Sequence, residues 1–208
     1  MSLTTFAMEA WADFRTVGAI APSSRYLTQA MLGPVALDRA RLVVEVGSGT
    51  GVMTQELLRQ MSPDGTLLAF EINPRFYDYL RSHVVDPRLV VINASAEMLD
   101  QELRRRGHAR VDAVVSSLAL AFMFHRQRHA FLSSLGNYLG ESGVFTQFQY
   151  LHGLQLNNGH LRRFPLLRLL GRYFGSVDRK IIWRNLPPAF VFECRRPLCS
   201  AELLQRTP

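Results

Sequence analysis

The residues with the clearest chemical meaning are Glu45-Val-Gly-Ser-Gly-Thr-Gly51, a carboxylate followed by three glycines at alternate positions. Glycine lets a turn tighten and a ligand approach the main chain, and a helix opening behind such a turn presents N–H groups with no partner in the helix. That combination makes a cradle for a nucleotide-type ligand. A dinucleotide fingerprint would carry its third glycine at position 52, where this chain has Val52, and a P-loop would need Gly-Lys-Ser/Thr. A second carboxylate, Glu71, follows 20 residues after Gly51. At that separation an acid ending the next strand can accept both hydrogen bonds of a ribose diol. Burying a carboxylate at a strand end is costly without such a partner. The histidines offer less. His125 and His129 are four residues apart, and His152 and His160 lie in a basic stretch, but no cysteine or carboxylate set completes a metal site with them. They read as surface or packing residues, and no metal is expected.

To bring Glu45 and Glu71 together, the chain must present them at adjacent strand ends. Leu42 to Val46 is an apolar, β-branched run that reads as a buried strand, and Val52 to Met61 reads as the helix after it. Thr66 to Glu71 reads as strand, and Arg75 to His83 as a helix started by Asn73-Pro74. The rhythm continues with strands at Leu89 to Asn93, Val111 to Ser116 and Gly143 to Tyr150, and helices at Ala96 to Arg106 and Arg126 to Leu139. Upstream, Phe6 to Phe14 has helical spacing, and a second helix is capped by Ser23 or Ser24, with Leu27 and Met31 inward. After Tyr150, Gly153, Gly159, Pro165 and Gly171 punctuate Leu151 to Gly175, which reads as broken helix and loop. Val177 to Arg184 and Ala189 to Arg195 read as an antiparallel pair joined by Asn185-Leu-Pro-Pro188. The expected class is α/β, with helices on both faces of a mostly parallel sheet. The expected division is N-terminal helices over 1–34, a core over 35–196 with an insertion at 151–176, and a loose tail over 197–208.

The Glu45 to Gly51 turn resembles the first motif of the class I S-adenosylmethionine-dependent methyltransferases, in which an acid opens the turn and the glycines admit the methionine end of the cofactor. The resemblance implies a Rossmann-like, seven-stranded sheet with a C-terminal antiparallel hairpin. It also implies that Glu45, Gly47, Gly49, Gly51 and Glu71 hold S-adenosylmethionine, which leaves as S-adenosylhomocysteine. Asn93-Ala-Ser-Ala-Glu97 stands where these enzymes usually have Gly-Asp-Ala, with the Asp on the adenine amino group. Ser95 replaces that Asp with a weaker acceptor, so adenine recognition leans on the Ala96 backbone. Ser116 ends the fourth strand, at the carboxyl end where such sheets place ligands, and is assigned to both cofactor and catalysis.

Thr16 to Ser24 and Arg184 to Pro188 resemble the bacterial phospholipid N-methyltransferases of the rhizobial type, which convert phosphatidylethanolamine to phosphatidylcholine. The resemblance runs from about Arg15 to Arg195, and enzymes that methylate ornithine lipids share much of the pattern. It implies an amino-lipid substrate. Tyr150 matches an aromatic position of that family and is assigned to stacking on the methylated ammonium or accepting its proton. An adenine-dimethylating RNA enzyme would resemble Asn-Leu-Pro-Tyr after the fourth strand, but this chain has Ser116-Ser-Leu-Ala119, with no aromatic to stack on a flipped base. A non-catalytic lipid-surface module would suit Ser95 and leave the intact glycine turn unexplained.

Length and composition agree with one globular domain: 208 residues, 48% apolar and 20% charged. The 24 basic and 17 acidic residues give a net charge of +7, which favours an anionic partner. From Leu161 to Arg184 seven basic residues, among them Arg162, Arg163, Arg168 and Arg172, face one acid, Asp178. Leucines and aromatics interleave with them, as in a segment that lies in an anionic lipid interface. The longest apolar run, Ala113 to Phe124, falls short of the ~20 residues of a spanning helix. No secretory signal precedes Cys194 and Cys199, so no disulfide framework is expected. These readings describe a monomeric, cytoplasmic enzyme resting on the inner face of the cell membrane, without a stable nucleic-acid partner.

Overall fold

Val43, Val44 and Val46 are all buried, which makes β1 (Leu42–Val46) an interior strand covered on both faces. The computed structural model describes residues 24–151, 154–157 and 160–198, with the backbone alone for 154–157 and 160–163. The helix expected over Phe6 to Phe14, most of the Thr16 to Ser24 segment and the tail from residue 199 lie outside the described residues.

α1 (Arg25–Leu32) precedes β1, and Ser24 caps it, its Oγ accepting from Leu27 N at 3.2 Å. α2 (Val52–Gln60) follows the glycine turn. β2 (Thr66–Phe70) pairs parallel with β1. α3 (Pro74–His83) starts with Pro74 in its first turn, while Asn73 Oδ1 accepts from Arg75 N at 2.9 Å. β3 (Leu89–Ile92) lies outside β2. A 3₁₀ turn (Ala96–Met98) leads into α4 (Leu99–Arg105). β4 (Val111–Ser116) pairs parallel with the other side of β1. α5 (His125–Tyr138) returns the chain to β5 (Leu139–Tyr150), outside β4. Finally β8 (Phe174–Ile182) and β9 (Ala189–Pro197) form a hairpin whose β9 runs antiparallel to β5.

The resulting order, β3-β2-β1-β4-β5-β9-β8, is the expected seven-stranded, mostly parallel sheet of Rossmann-like form with its antiparallel end. Leu27, Met31, Met53 and Leu57 pack α1 and α2 on one face. Leu99, Leu103, Phe131 and Leu135 pack α4 and α5 on the other.

Two segments differ from the sequence expectation. The stretch after Tyr150 contains a second sheet, β6 (Leu154–Asn157) against β7 (His160–Arg163), followed by a short α6 (Leu166–Leu170). Asn157 pairs with His160, and the sequence between them is Asn-Gly, a strong two-residue hairpin signal that the isolated glycines obscured. β5 starts at Leu139 directly after α5, and its register against β4 shifts between Val111 and Ala113, which accommodates the extra residues.

At the amino edge of the sheet, Arg88 ties down the end of α2. Its Nη2 donates to Leu58 O at 2.7 Å and its Nη1 to Met61 O at 3.0 Å, while Asp86 holds the guanidinium. Arg88→Ala is expected to cost about 2 kcal/mol in urea unfolding, because helix-end carbonyls lose a charged donor. Ligand affinity at the opposite edge should stay unchanged in the same samples.

Candidate cofactor and active site

The five parallel strands end at one edge, and the turn after β1 sits at its centre. Gly47, Gly49 and Gly51 have φ of +80°, +54° and +84°, the left-handed region that side chains avoid. Gly47 N and Ser48 N donate to Phe70 O at 2.9 and 3.2 Å, which fastens the turn to the end of β2. A side chain at Gly51 would come within 2.5 Å of Leu80 Cδ1, so this glycine lets α3 close on the turn. A side chain at Gly47 would lie 3.2 Å from Leu118 Cδ2, on the loop after β4. Gly49 differs, since a Cβ there meets nothing within 4 Å. It forms an open floor on which a ligand can rest.

The structure brings Glu71 to that floor. The residue is buried, its Oε2 accepts from Gly49 N at 2.8 Å, and its Oε1 accepts from Asn73 N at 2.8 Å. Asn93 Nδ2 donates to Glu71 O at 2.7 Å and so links the β2 and β3 ends. The two backbone bonds fix the plane of the carboxylate at the carboxyl edge, and a carboxylate is the group suited to accept from a ribose diol.

Glu45 is fully buried. Thr54 Oγ1 donates to its Oε2 at 2.6 Å, and its Oε1 has no partner among the described residues. Burial pushes the carboxyl up to about 7; the Thr54 bond opposes that rise, and the neighbouring Glu71 adds to it. An ammonium would supply the missing donor and the missing charge, and the methionine end of S-adenosylmethionine carries one. The residues therefore fit that cofactor at both of its polar ends.

The remaining assigned residues divide by position. Ser95 caps the 3₁₀ turn without a side-chain capping bond, and Ala96 behind it is buried. Ser116 is buried, and its Oγ accepts from Leu118 N at 3.3 Å, which shapes the loop that touches Gly47. Tyr150 stands at the end of β5, edge-on to Phe148 with ring centroids 5.3 Å apart. Burial pushes its phenol above the ordinary value, which keeps it neutral and suits an aromatic wall better than a base. Arg162 and Arg163 lie on β7, and their side chains are outside the described residues. Arg168 and Arg172 are exposed, but Arg172 stands two residues before β8, which begins at the amino edge, away from the glycine turn. Among the described residues there is no metal-holding cluster of histidine, cysteine and carboxylate side chains. His129 Nδ1 instead pairs with Tyr173 OH at 2.7 Å, and the free Cys194 is buried in the core.

Sequence reasoning missed Gln147. It is fully buried, its Nε2 donates to Leu118 O at 2.9 Å and Phe148 O at 2.6 Å, and its Oε1 has no partner among the described residues. The buried unpartnered side-chain atoms among the described residues belong to Glu45 on β1 and to Thr146, Gln147 and Gln149 on β5. Buried polar groups are normally paired, so these atoms are open to a further partner, Glu45 and Thr146 on one face of the sheet and Gln147 and Gln149 on the other. The signal in the sequence was the run of polar residues near the end of an otherwise apolar strand.

Residues 43–143 match a family described as a methyltransferase domain. The chain is 30% identical over 181 residues to the ornithine lipid N-methyltransferase of Singulisphaera acidiphila, covering 86% of this chain and 88% of that one. It is 25% identical over 142 residues to ribosomal RNA small subunit methyltransferase H of Christiangramia forsetii, covering 68% of this chain and 41% of the relative. A solved structure of 1,6-didemethyltoxoflavin-N1-methyltransferase from Burkholderia thailandensis, with S-adenosylhomocysteine bound, aligns with a TM-score of 0.63 at 20% identity, covering 94% of this chain and 87% of that one. A TehB-like methyltransferase from Corynebacterium glutamicum aligns with a TM-score of 0.58 at 13% identity, covering 93% and 99%. At these identities the two structures share the fold with this chain.

Proposed function

Because this chain belongs to the methyltransferase family, we propose that it uses S-adenosylmethionine to methylate the amino group of a membrane-lipid headgroup. The observation that carries the substrate class is the similarity, over most of both chains, to an ornithine lipid N-methyltransferase. Ornithine lipid and phosphatidylethanolamine both present an amine beside an anionic group, and both are substrates to test. Among the described residues no helix is long and apolar enough to cross a membrane, so a surface approach to such a lipid suits the chain.

Bound at the carboxyl edge, the cofactor supplies a methyl group made electrophilic by a sulfonium. Glu71 would hold the ribose, the Gly47 to Gly51 turn would admit the methionine end, and Glu45 would pair with its ammonium. The Ala96 backbone and Ser95 flank the adenine side. On the acceptor side, Gln147 and Ser116 fix the Leu118 loop, and Tyr150 offers a neutral aromatic wall. The amine must reach the methyl group in line and uncharged.

Purified protein with methyl-labelled S-adenosylmethionine should transfer label to vesicles containing ornithine lipid or phosphatidylethanolamine. Label appearing only in added ribosomal RNA would overturn the substrate class.

Glu45 gives a second test. Near neutral pH much of the free protein holds a proton on this carboxyl, and a bound ammonium favours the carboxylate. Cofactor binding at pH 6 should therefore release protons, seen as a dependence of the calorimetric heat on buffer ionisation enthalpy. The release should vanish in Glu45→Gln. The same raised value sets a stability trend without cofactor. Between the ordinary 4.5 and about 7 the folded state holds the proton and the unfolded chain does not, so stability falls as pH rises through that window.

A further inference from the structure

Exposed apolar surface is distributed unequally between the two edges of the sheet. Six of the large exposed apolar side chains stand on the loops and helix starts of the carboxyl edge: Val52, Ile72, Phe122, Phe124, Trp183 and Leu186. Trp183 and Leu186 are 68% and 80% exposed, and Ile72 is 64% exposed. The amino edge carries Val85. Exposed arginines stand at both edges, but exposed acids do not. At the carboxyl edge the exposed charged residues are Arg25, Arg75, Arg126 and Arg184, with no exposed acid among them; Glu71 is buried and Glu97 is half-buried. The amino edge, by contrast, carries the exposed acids Asp38, Asp64 and Glu141 among its arginines, which include Arg39, Arg41, Arg110, Arg172 and Arg196.

The turn between β8 and β9 projects its apolar residues from a braced base. Asn185 is buried, its Oδ1 accepts from Ser24 N at 3.1 Å, and its Nδ2 donates to Pro187 O at 2.6 Å. Arg184 Nη1 donates to Tyr26 OH at 3.3 Å. Trp183 and Leu186 flank these anchored residues and point their surface outward. Apolar tips ringed by cations suit an anionic lipid interface, where the tips leave water and the arginines meet phosphates. Phosphates of RNA would satisfy the arginines but would leave Leu186 and Ile72 without an apolar partner.

We infer that the carboxyl edge is the face that docks on an anionic bilayer, with Trp183 and Leu186 entering the interface beside the cofactor site. This rests on the lipid-methylating reading. It adds that the amine reaches the site from the bilayer surface while its acyl chains stay in the membrane.

The chain's two tryptophans are Trp11 and Trp183, so Trp11→Phe leaves a single reporter on the proposed face. Titrating phosphatidylglycerol vesicles should shift Trp183 emission to shorter wavelength. Brominated acyl chains should quench it, and both effects should weaken as salt rises. An emission already at short wavelength without vesicles would mean that the rest of the chain or a second copy covers the face, and would overturn the inference. An emission that vesicles leave unchanged, or that only RNA shifts, would also overturn it. In the full chain, Trp183→Ser with Leu186→Ser should lower methylation of bilayer amino lipid by about ten-fold or more, a loss equivalent to one weakened interfacial anchor. Its rate on a dispersed short-chain amino lipid should match wild type. Wild-type rates on both forms would remove the docking face and leave the substrate reading standing. A wild-type chain that methylates neither form would remove the substrate reading, while the vesicle titration still reports on the face.

Discussion

The Glu71→Ala variant is expected to bind S-adenosylmethionine at least about 100-fold more weakly than wild type, measured by calorimetry. The magnitude follows from the two hydrogen bonds assigned to its carboxylate, since charged acceptors contribute about 1.5–3 kcal/mol each and every 1.4 kcal/mol is ten-fold in affinity. The same side chain accepts from Gly49 N and Asn73 N, so part of the loss will come from a less ordered turn. Glu71→Gln separates the two contributions, because it keeps the shape and one acceptor oxygen while removing the charge. It should fall between wild type and Glu71→Ala in affinity. Since its NH2 cannot replace the oxygen that accepts from Gly49 N or from Asn73 N, it should also lose about 1–3 kcal/mol of stability, which urea unfolding measures separately. Wild-type affinity in Glu71→Ala would mean that the cofactor sits elsewhere.

Alanine at Gly51 and alanine at Gly49 should fail in different ways. At Gly51 the backbone is left-handed and the new methyl would meet the side chain of Leu80, which is buried and has little room to move. The strained φ costs about 1–2 kcal/mol, and overpacking a closed core costs about 1–3 kcal/mol more. Gly51→Ala is therefore expected to lose about 3 kcal/mol in urea unfolding. At Gly49 no atom lies within reach of the methyl, so only the strain of about 1–2 kcal/mol applies to stability. That methyl instead occupies the floor beneath the ligand, and cofactor affinity should fall even where the protein remains folded. Equal losses of stability in the two variants would contradict the open floor.

The contrast shows what could be read from residue types alone. The Glu45 to Gly51 turn and Glu71 were legible because their spacing is local: a strand, a turn and a strand end fix where these groups stand. The strand and helix alternation through Tyr150 was legible for the same reason, since each element buries its own apolar residues. The hairpin β6–β7 was not, because glycine spacing outweighed the Asn-Gly signal in the sequence between Asn157 and His160. Gln147 was not legible either. Its role depends on Leu118, 29 residues away, and a glutamine in a strand carries no motif. Asp112 is a similar case: its Oδ2 accepts from Arg41 N and Leu42 N at 2.7 and 2.9 Å, a brace at the amino edge that only the parallel pairing of β1 with β4 creates. The basic stretch from Leu161 was legible as charge, while its division between β7, α6 and β8 needed the fold.

The strand order has a consequence for how such a chain can change. The residues assigned to the cofactor gather at the ends of β1, β2 and β3, while Ser116, Gln147, Gln149 and Tyr150 stand on the neighbouring β4 and β5. Leu118 against Gly47 joins the two halves. Because Ser116 and Gln147 hold Leu118, a substitution at either is transmitted to the glycine turn, whereas Tyr150 stands beyond those two bonds, at the end of β5. The two halves of the carboxyl edge are thus mechanically coupled through one leucine, and the size of the side chain at position 118 sets how closely they approach.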